Sequence, residues 1–348
     1  MSALQSTVTT NARAGNWAHW VACCLVAVTG VLLGFGAMVT TYEAAMAVPD
    51  WPATYGHNMF LFPWAEWLYG PWDLFLEHGH RMLGALVGFM TLVLVASIWR
   101  TGQPTVVKAL AGAAVLLVLV QGLLGGLRVL LDDKTVAKVH ACTGPLFFAV
   151  AVAIATLTSR WASRTASRTD HRLTSQGWLA AGLMVAAYVQ LVAGAQLRHL
   201  DASVGPTTFR WLVVLHLLGA AVVTLLSLLA AASAFGWLGQ GSAGSCVAQR
   251  RWSAGLVALI AGQLGLGCAA WIVSWGLPLG LLPDAVASAF PEPSGVVVAR
   301  SGFSALIVTG HVLLGMMILA ASVVLCLVSG GLPRPVAVQL ASGRRVLA

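Results

Sequence analysis

The chain has 348 residues, of which 59% are hydrophobic and only 9% are charged. This composition excludes a soluble globular domain of that length, and the mean hydropathy of +0.86 indicates a protein embedded in lipid. The formal charge of +8 follows from basic residues placed around apolar segments, so it indicates no nucleic-acid partner.

Eight apolar segments approach or exceed the length that a helix needs to cross a bilayer. They predict an all-α integral membrane protein of eight transmembrane helices, near residues 17–40, 77–98, 109–127, 137–157, 177–197, 210–236, 252–275 and 303–328. Residues 1–15 are polar, so we interpret the first segment as a retained anchor and not as a cleaved signal.

Lysine and arginine accumulate on one side of these segments, where the one acid is Asp170. The positive-inside rule therefore predicts that both termini are cytoplasmic. The basic residues on this side include Arg13, Arg100, Lys108, Arg160, Arg164, Arg168, Arg172, Arg250, Arg251, Arg334, Arg344 and Arg345.

The chain shows an internal duplication. The third, fifth and seventh segments each contain a glutamine followed four residues later by a glycine, namely Gln121 and Gly125, Gln190 and Gly194, and Gln263 and Gly267. We predict two pseudo-symmetric four-helix bundles, with an N-terminal half at 1–160, a cytoplasmic linker at 161–176, a C-terminal half at 177–330 and a cytoplasmic tail at 331–348. We interpret the glycines by themselves as ordinary helix-packing residues.

Each even segment carries, near its start, one of four histidines that recur at the same depth: His80, His140, His216 and His311. The even segments all run from outside to inside, so the four imidazoles share one depth on the outer side. Intramembrane ionisable groups are rare and usually functional, and neutral imidazole is a regular iron ligand. Four histidines, two per half, predict two bis-imidazole haem sites. For any single one, a helix-start histidine bonded to backbone or water is the alternative.

The start of the second segment, LEHGHR, is the most reactive-looking position in the chain. Glu77 and His80 are three residues apart and share a helix face, whereas His78 is rotated by about 200° from His80. A carboxylate beside iron could relay protons, but pairing of Glu77 with Arg81 four residues later is an equal alternative. Arg81, Arg128 and Arg198 also lie on the outer side, where they could bind haem propionates or act as interface anchors.

The first outer loop, between Thr41 and Glu77, is long and rich in tryptophan. Such aromatic residues form an interfacial belt, or they cover the mouth of a haem pocket. His57 in this loop is interpreted as an exposed histidine. No cysteine lies in the long outer loops, so an outer disulfide has no candidates. The proline-rich outer loop at 276–302 carries no assignable chemistry.

These residues resemble the haem A synthase family of cytochrome oxidase assembly. The resemblance rests on PDWP in the first outer loop (Pro49–Pro52), E-x-x-H-R in the second segment, Val139 with His140 in the fourth, and the single histidines of the sixth and eighth. It covers nearly the whole chain. Many members carry a cysteine pair in the first outer loop, and its absence here puts thiol redox control in doubt.

The resemblance implies an oxidoreductase, a haem O monooxygenase that oxidises the C8 methyl group of haem O to a formyl group and so makes haem A. His80 and His140 would border the substrate haem with Glu77 as the essential acid, and His216 and His311 would ligate a haem b that passes electrons. Methyl hydroxylation is beyond side-chain chemistry and needs a redox metal cofactor. The implied location is the cytoplasmic (inner) membrane, with both haem sites toward the outer face.

The implied partners are a haem O synthase that supplies the substrate, the membrane lipid and an electron donor such as quinol, and a homo-oligomer is compatible with the sequence. Two other function classes remain open. A bis-haem cytochrome b in quinol electron transfer would use the same histidines but would have little use for Glu77. A haem transporter or assembly scaffold would release haem without turnover.

Overall fold

The computed structural model describes residues 2–160, 162, 175–200, 204–238, 247–276 and 301–330, with side chains described from residue 17 onward. Several predictions lie outside these residues: most of the 161–176 linker, nearly all of the 276–302 loop, and the 331–348 tail with its arginines. Arg13, Arg164, Arg168, Asp170, Arg172 and Cys246 are likewise beyond the described side chains.

The described residues form nine α-helices, a 3-10 helix at Ala44–Met46 and one short hairpin. The helices are α1 (Ser2–Thr41), α2 (Trp64–Tyr69), α3 (Trp72–Arg100), α4 (Thr105–Leu131), α5 (Lys134–Leu157), α6 (Ser175–Arg198), α7 (Pro206–Phe235), α8 (Val247–Trp275) and α9 (Gly302–Val328). All except α2 contain a stretch that is long and apolar enough to cross a membrane, as is typical of a multi-pass membrane protein. The eight predicted transmembrane segments are therefore confirmed.

Local sequence explains where the helices begin and end. Pro71 immediately precedes α3, and Pro206 is the first residue of α7. The fixed φ of proline favours helix initiation at such positions. Asp133 caps α5 by accepting a hydrogen bond from the backbone of Val136 over 2.8 Å. Gly236 ends α7 at φ 80°, in the left-handed region that glycine occupies without strain. These signals set α3 to start at Trp72, earlier than the predicted residue 77.

The long helices contact one another as two rings of four. In the first ring α1 contacts α3, α3 contacts α4, α4 contacts α5, and α5 contacts α1. In the second ring α6 contacts α7, α7 contacts α8, α8 contacts α9, and α9 contacts α6. The rings meet through α1, α5, α6 and α9. The predicted pseudo-symmetry and membrane orientation stay predictions, because these contacts describe packing alone.

Each ring has an apolar core toward the end that lies away from the histidines. In the first ring this core includes Leu25, Leu94 and Ile154, all fully buried. In the second it includes Leu183 and Leu256. A third cluster joins α5 to α9 between the rings. Packing at one end thus leaves the histidine ends free to hold polar groups.

Residues 42–71 connect α1 to α3, and we call them the α1–α3 loop. The loop contains the hairpin of β1 (Ala53–Thr54) and β2 (His57–Asn58), followed by α2. The hairpin turn has positive φ at both central residues, Tyr55 at 49° and Gly56 at 76°, as a two-residue turn of this kind requires.

The carboxylate of Asp50 fixes this turn. It accepts hydrogen bonds from the backbone N–H groups of Tyr55 and Gly56 over 2.9 and 2.7 Å. Burial opposes ionisation of Asp50, but these two bonds and the charge of Arg81 outweigh it, so the pKa of Asp50 is lowered. The loop is thus an ordered structure in which a charged side chain holds the backbone.

Candidate functional site

The four predicted histidines meet as two pairs. His80 on α3 and His140 on α5 have ring centres 6.4 Å apart, and His216 on α7 and His311 on α9 also have ring centres 6.4 Å apart. In each ring the two histidines come from helices that are diagonal to one another, since α3 and α5 both contact α1 and α4. The imidazoles therefore face each other across the middle of a four-helix ring.

This spacing fits one metal ion between each pair of imidazoles. Imidazole nitrogens bind transition metals at about 2.0–2.1 Å, so two imidazoles that held one ion between them would have ring centres about 6 Å apart. Within the described residues no cluster of three or more His, Cys, Asp or Glu side chains could hold a metal ion. Two protein ligands per metal are what a haem iron needs, because its macrocycle supplies the other four.

A glycine on a neighbouring helix receives each imidazole. A Cβ added at Gly36 would lie 2.9 Å from Cε1 of His80, and one added at Gly125 would lie 3.3 Å from Cε1 of His140. In the second ring the corresponding contacts are Gly194 with His216 at 3.2 Å and Gly267 with His311 at 3.1 Å. The interpretation of Gly125, Gly194 and Gly267 as helix-packing residues is compatible with these contacts, and the structure adds that the side chain packed on each of them is an imidazole.

Glu77 is almost fully buried, with 1% of its surface exposed. Its Oε1 accepts a hydrogen bond from Nη2 of Arg81 over 3.0 Å, and its Oε2 accepts one from the backbone N–H of Val48 over 2.9 Å. These contacts match the alternative in which Glu77 pairs with Arg81. They also place a buried carboxyl group one helical turn from His80.

Arg81 fastens the α1–α3 loop to α3. Its Nη1 donates to the carbonyl oxygens of Asp50 and Ala53 over 2.6 and 2.9 Å, and its Nη2 donates to that of Val48 over 2.7 Å. With the bond to Glu77, the guanidinium makes four hydrogen bonds. Arg81 thus organises the loop, which its predicted role at a haem propionate did not anticipate.

The loop is seated on the first ring by two further contacts. The indole of Trp51 packs directly on Gly126 of α4, where any side chain would overlap it. His78 is buried, and its Nδ1 lies 3.0 Å from Oγ1 of Thr54. His78 therefore faces the loop and not the histidine pair, as its rotation from His80 indicates. His57 is exposed, in agreement with its interpretation.

Arg128 lies on α4, and its charge acts on the first histidine pair. It interacts electrostatically with Glu77, His80 and His140. Arg198 lies where the two rings meet: its Nη2 donates to the carbonyl oxygen of Ala37 and to Oγ1 of Thr41 on α1. Its Nη1 is buried and has no partner among the described residues.

His199 follows Arg198 at the end of α6 and carried no predicted role. Burial and the charges of Arg198, Arg128 and Lys138 lower its pKa to about 4, so it is neutral near pH 7. In the sequence, the feature that could have identified His199 is its position beside Arg198 in the repeated stretch. Only the fold shows that three cations lie around it.

The region of α3 to the start of α7 carries a family signature. The family model COX15-CtaA, described as a cytochrome oxidase assembly protein, matches residues 71–213. This stretch contains Glu77, His80 and His140 and ends before His216.

Two relatives extend this similarity. The chain is 28% identical over 222 residues to Heme A synthase of Geobacillus thermodenitrificans, over 58% of this chain and 66% of the relative. It is 28% identical over 213 residues to Heme A synthase of Geobacillus kaustophilus (strain HTA426), over 56% of this chain and 64% of the relative. The matches thus span just under two thirds of each relative's length. The family model and both relatives support the assignment of this chain to the haem A synthase family.

Proposed function

We propose that this chain is a haem A synthase that oxidises the C8 methyl group of haem O to a formyl group, with dioxygen as the oxidant. The observation that carries the proposal is the pair of opposed imidazoles in each ring, together with the buried carboxylate of Glu77 beside the first pair. Helices α6 to α9 themselves contain no aspartate or glutamate.

The first ring is the proposed substrate site. His80 and His140 would hold the iron of haem O between α3 and α5, and Arg128 would neutralise propionate charge near them. Glu77 and Arg81 keep the α1–α3 loop closed over α3, which excludes water from the reacting methyl group. The buried carboxylate of Glu77 also offers an oxygen that can hold a proton near His80.

The second ring is the proposed electron-supply site. His216 and His311 fit a haem b, which would supply single electrons when bound. The glycine recesses at Gly194 and Gly267 hold both imidazoles close to their neighbouring helices. Arg198 spans from this ring to the backbone of α1 beside Gly36, and so it connects the surroundings of the two histidine pairs.

The proposal is tested by expressing the full chain with a haem O synthase in a host that makes no haem A, followed by chromatography of the extracted haems. We expect haem A under oxygen, and none from His140→Ala. His57→Ala is the matched control, because this exposed histidine should leave the yield unchanged. Accumulation of haem O without haem A or a hydroxylated intermediate would overturn the proposal.

The same system separates the other function classes. A quinol-linked cytochrome b would make no haem A, and Glu77→Gln would leave its electron transfer intact. A transporter or scaffold would release haem unchanged and would not need dioxygen. For the division between the rings, His216→Ala or His311→Ala should remove a low-spin haem b signal and spare the first site. Loss of both haems from a folded protein would contradict that division.

A further inference from the structure

Arg198 lies at the junction of the two rings and contacts both. It is the last residue of α6 in the second ring, and its Nη2 donates to the carbonyl oxygen of Ala37 and to Oγ1 of Thr41 on α1 in the first ring. The hydroxyl of Thr41 donates to the same carbonyl oxygen over 2.9 Å. One guanidinium nitrogen therefore holds the last turn of α1.

The part of α1 that Arg198 holds also forms the recess of His80. Ala37 directly follows Gly36, and a Cβ added at Gly36 would lie 2.9 Å from Cε1 of His80. Ala37 itself is buried. A shift of this part of α1 would therefore move the backbone against which the imidazole of His80 packs.

The second terminal nitrogen of this guanidinium, Nη1, is buried and has no hydrogen-bond partner among the described residues. No described carboxylate counters the charge of Arg198 either. A guanidinium keeps its charge in a protein, and a buried charge without a partner is costly. Nη1 therefore offers two N–H donors and a positive charge to a group that the described residues do not supply.

The surroundings of Arg198 are positively charged. Its charge acts on His311 of the second pair and on the neighbouring His199, and His199 is also acted on by Arg128 and Lys138. Cations gathered in this way attract an anion, and the edge of a guanidinium fits a carboxylate by geometry as well as by charge. The junction therefore favours binding of a carboxylate near the second histidine pair.

We propose that Nη1 of Arg198 binds a carboxylate of the haem that His216 and His311 hold, and that the same guanidinium thereby couples the occupancy of the second ring to the backbone behind His80. The inference rests on the proposed function, which supplies the haem. Arg198 acts on the first site through α1, so for that site it is a positioning residue.

The coupling follows from the two ends of one rigid group. A bound carboxylate compensates the buried charge and fixes the plane of the guanidinium, which strengthens its hold on Ala37. Occupancy of the second ring thus favours the position of α1 in which Gly36 receives His80. Because coupling between two binding sites is reciprocal, occupancy of the first ring favours haem binding in the second by the same factor.

The coupling is measured with purified full-length protein loaded with haem b, by the rate at which haem passes to excess apomyoglobin. The first-ring phase is the one that His140→Ala removes. We expect this phase to be at least about fivefold faster in His216→Ala and in Arg198→Leu than in the natural protein, and no faster still in the double variant. Arg210→Leu is the matched control, because this exposed arginine near the start of α7 should leave the rate unchanged.

The carboxylate is tested by loading the protein with haem b dimethyl ester, in which both carboxylates are blocked. Release of the ester from the second ring should be about tenfold faster than release of haem b from the natural protein, and Arg198→Leu should add nothing to it. Arg198→Gln keeps a donor for Ala37 without the charge. It should behave as Arg198→Leu does, and it serves in its place if that variant does not accumulate.

The midpoint potential of the second-ring haem separates the charge of Arg198 from its packing. A nearby cation disfavours the oxidised haem, which carries one more positive charge than the reduced haem, so Arg198→Leu should lower the potential. Arg198→Lys keeps the cation and should keep the potential close to that of the natural protein. An equal potential in Arg198→Leu and Arg198→Lys would contradict a charge at this place.

Two other sources of negative charge give different results. A free ion at Nη1 would make haem release depend on added phosphate, and release would be the same for haem b and its ester. Asp201 lies outside the described residues, and it would be the counter-charge if Asp201→Asn reproduced the effects of Arg198→Leu. Either result would overturn the inference.

Failure of the inference is distinguishable from failure of the function on which it rests. If the natural protein binds no haem, the proposed function and the inference both fail. If haem binds but leaves the first ring at the same rate in the natural protein and in Arg198→Leu, or if the ester is retained as well as haem b, the inference fails and the proposed function stands.

Discussion

Removal of the guanidinium of Arg81 leaves the carboxylate of Glu77 buried without its hydrogen-bonded counter-charge, and Arg128 then remains as the cation that acts on it. The side chains are 9% and 1% exposed and their atoms are 3.0 Å apart, so the pair belongs with buried ion pairs and not with surface ones. A surface pair contributes about 0–1 kcal/mol, whereas breaking a buried pair by removing one partner costs about 3–5 kcal/mol. We therefore expect Arg81→Leu to lower the free energy of unfolding by about 3–5 kcal/mol.

A double-mutant cycle isolates the pair itself. Glu77→Leu should also destabilise, because the N–H of Val48 loses its acceptor, but the double variant should lose less than the sum of the single losses. We expect a coupling energy of about 1.5 kcal/mol or more. The measurement is urea-induced unfolding in mixed micelles, followed by helical circular dichroism and linear extrapolation.

The control for this cycle is Arg100→Leu, which removes an exposed arginine at the end of the same helix and should change stability by under about 0.5 kcal/mol. A coupling energy below about 0.5 kcal/mol would refute the reasoning, because it would mean that Arg81 and Glu77 contribute independently of each other.

Three further predictions follow from the loop and its surroundings. Gly126→Ala should displace Trp51 and expose the α1–α3 loop to protease, whereas Gly122→Ala, whose added Cβ meets nothing within 4 Å, should not. Thr54→Val should cost about 1 kcal/mol, measured by the same unfolding assay, because His78 loses a buried partner. His199 has a folded pKa of about 4 against about 6.5 when unfolded, so stability should fall as pH drops through this window, with a smaller slope in His199→Gln. Equal slopes would contradict the burial of a neutral imidazole there.

The sequence was sufficient to predict the eight long helices, because a bilayer requires about 20 consecutive apolar residues and such runs are easily seen. It also identified the four histidines, since ionisable residues stand out against an apolar background. The pairing of His80 with His140 was expected from their shared half. That they lie on diagonal helices could not be predicted, because helix order around a ring depends on side-chain packing between distant segments.

The α1–α3 loop was the least predictable part. Its tryptophans suggested a cover, but the hairpin and α2 are too short to give a periodic pattern. The pairing of Arg81 with Glu77 was predicted from their spacing of four residues, which is a local relation within one helix. Its three bonds to loop carbonyls join residues about 30 positions apart, and no local pattern encodes such contacts.

The glycines and glutamines show why a repeated pattern can be seen and still be misread. In the sequence, Gln121 and Gly125 are two small features of an apolar helix, and close packing explains the glycine without reference to His140. Only the fold shows that Gly194 and Gln190 both contact the imidazole of His216, and that Gly125 and Gly267 likewise each contact one imidazole.

The two rings therefore share a scaffold but differ in the acidic groups beside their histidines. In the first ring a buried ion pair, Glu77 with Arg81, holds the α1–α3 loop on α3, one helical turn from His80. In the second ring no aspartate or glutamate is present on the four helices. A site that oxidises a bound substrate needs a cover that excludes water and a group that can hold a proton, whereas a site that passes electrons needs neither. This difference between the rings is the basis of the proposal that oxidation takes place in the first ring and electron supply in the second.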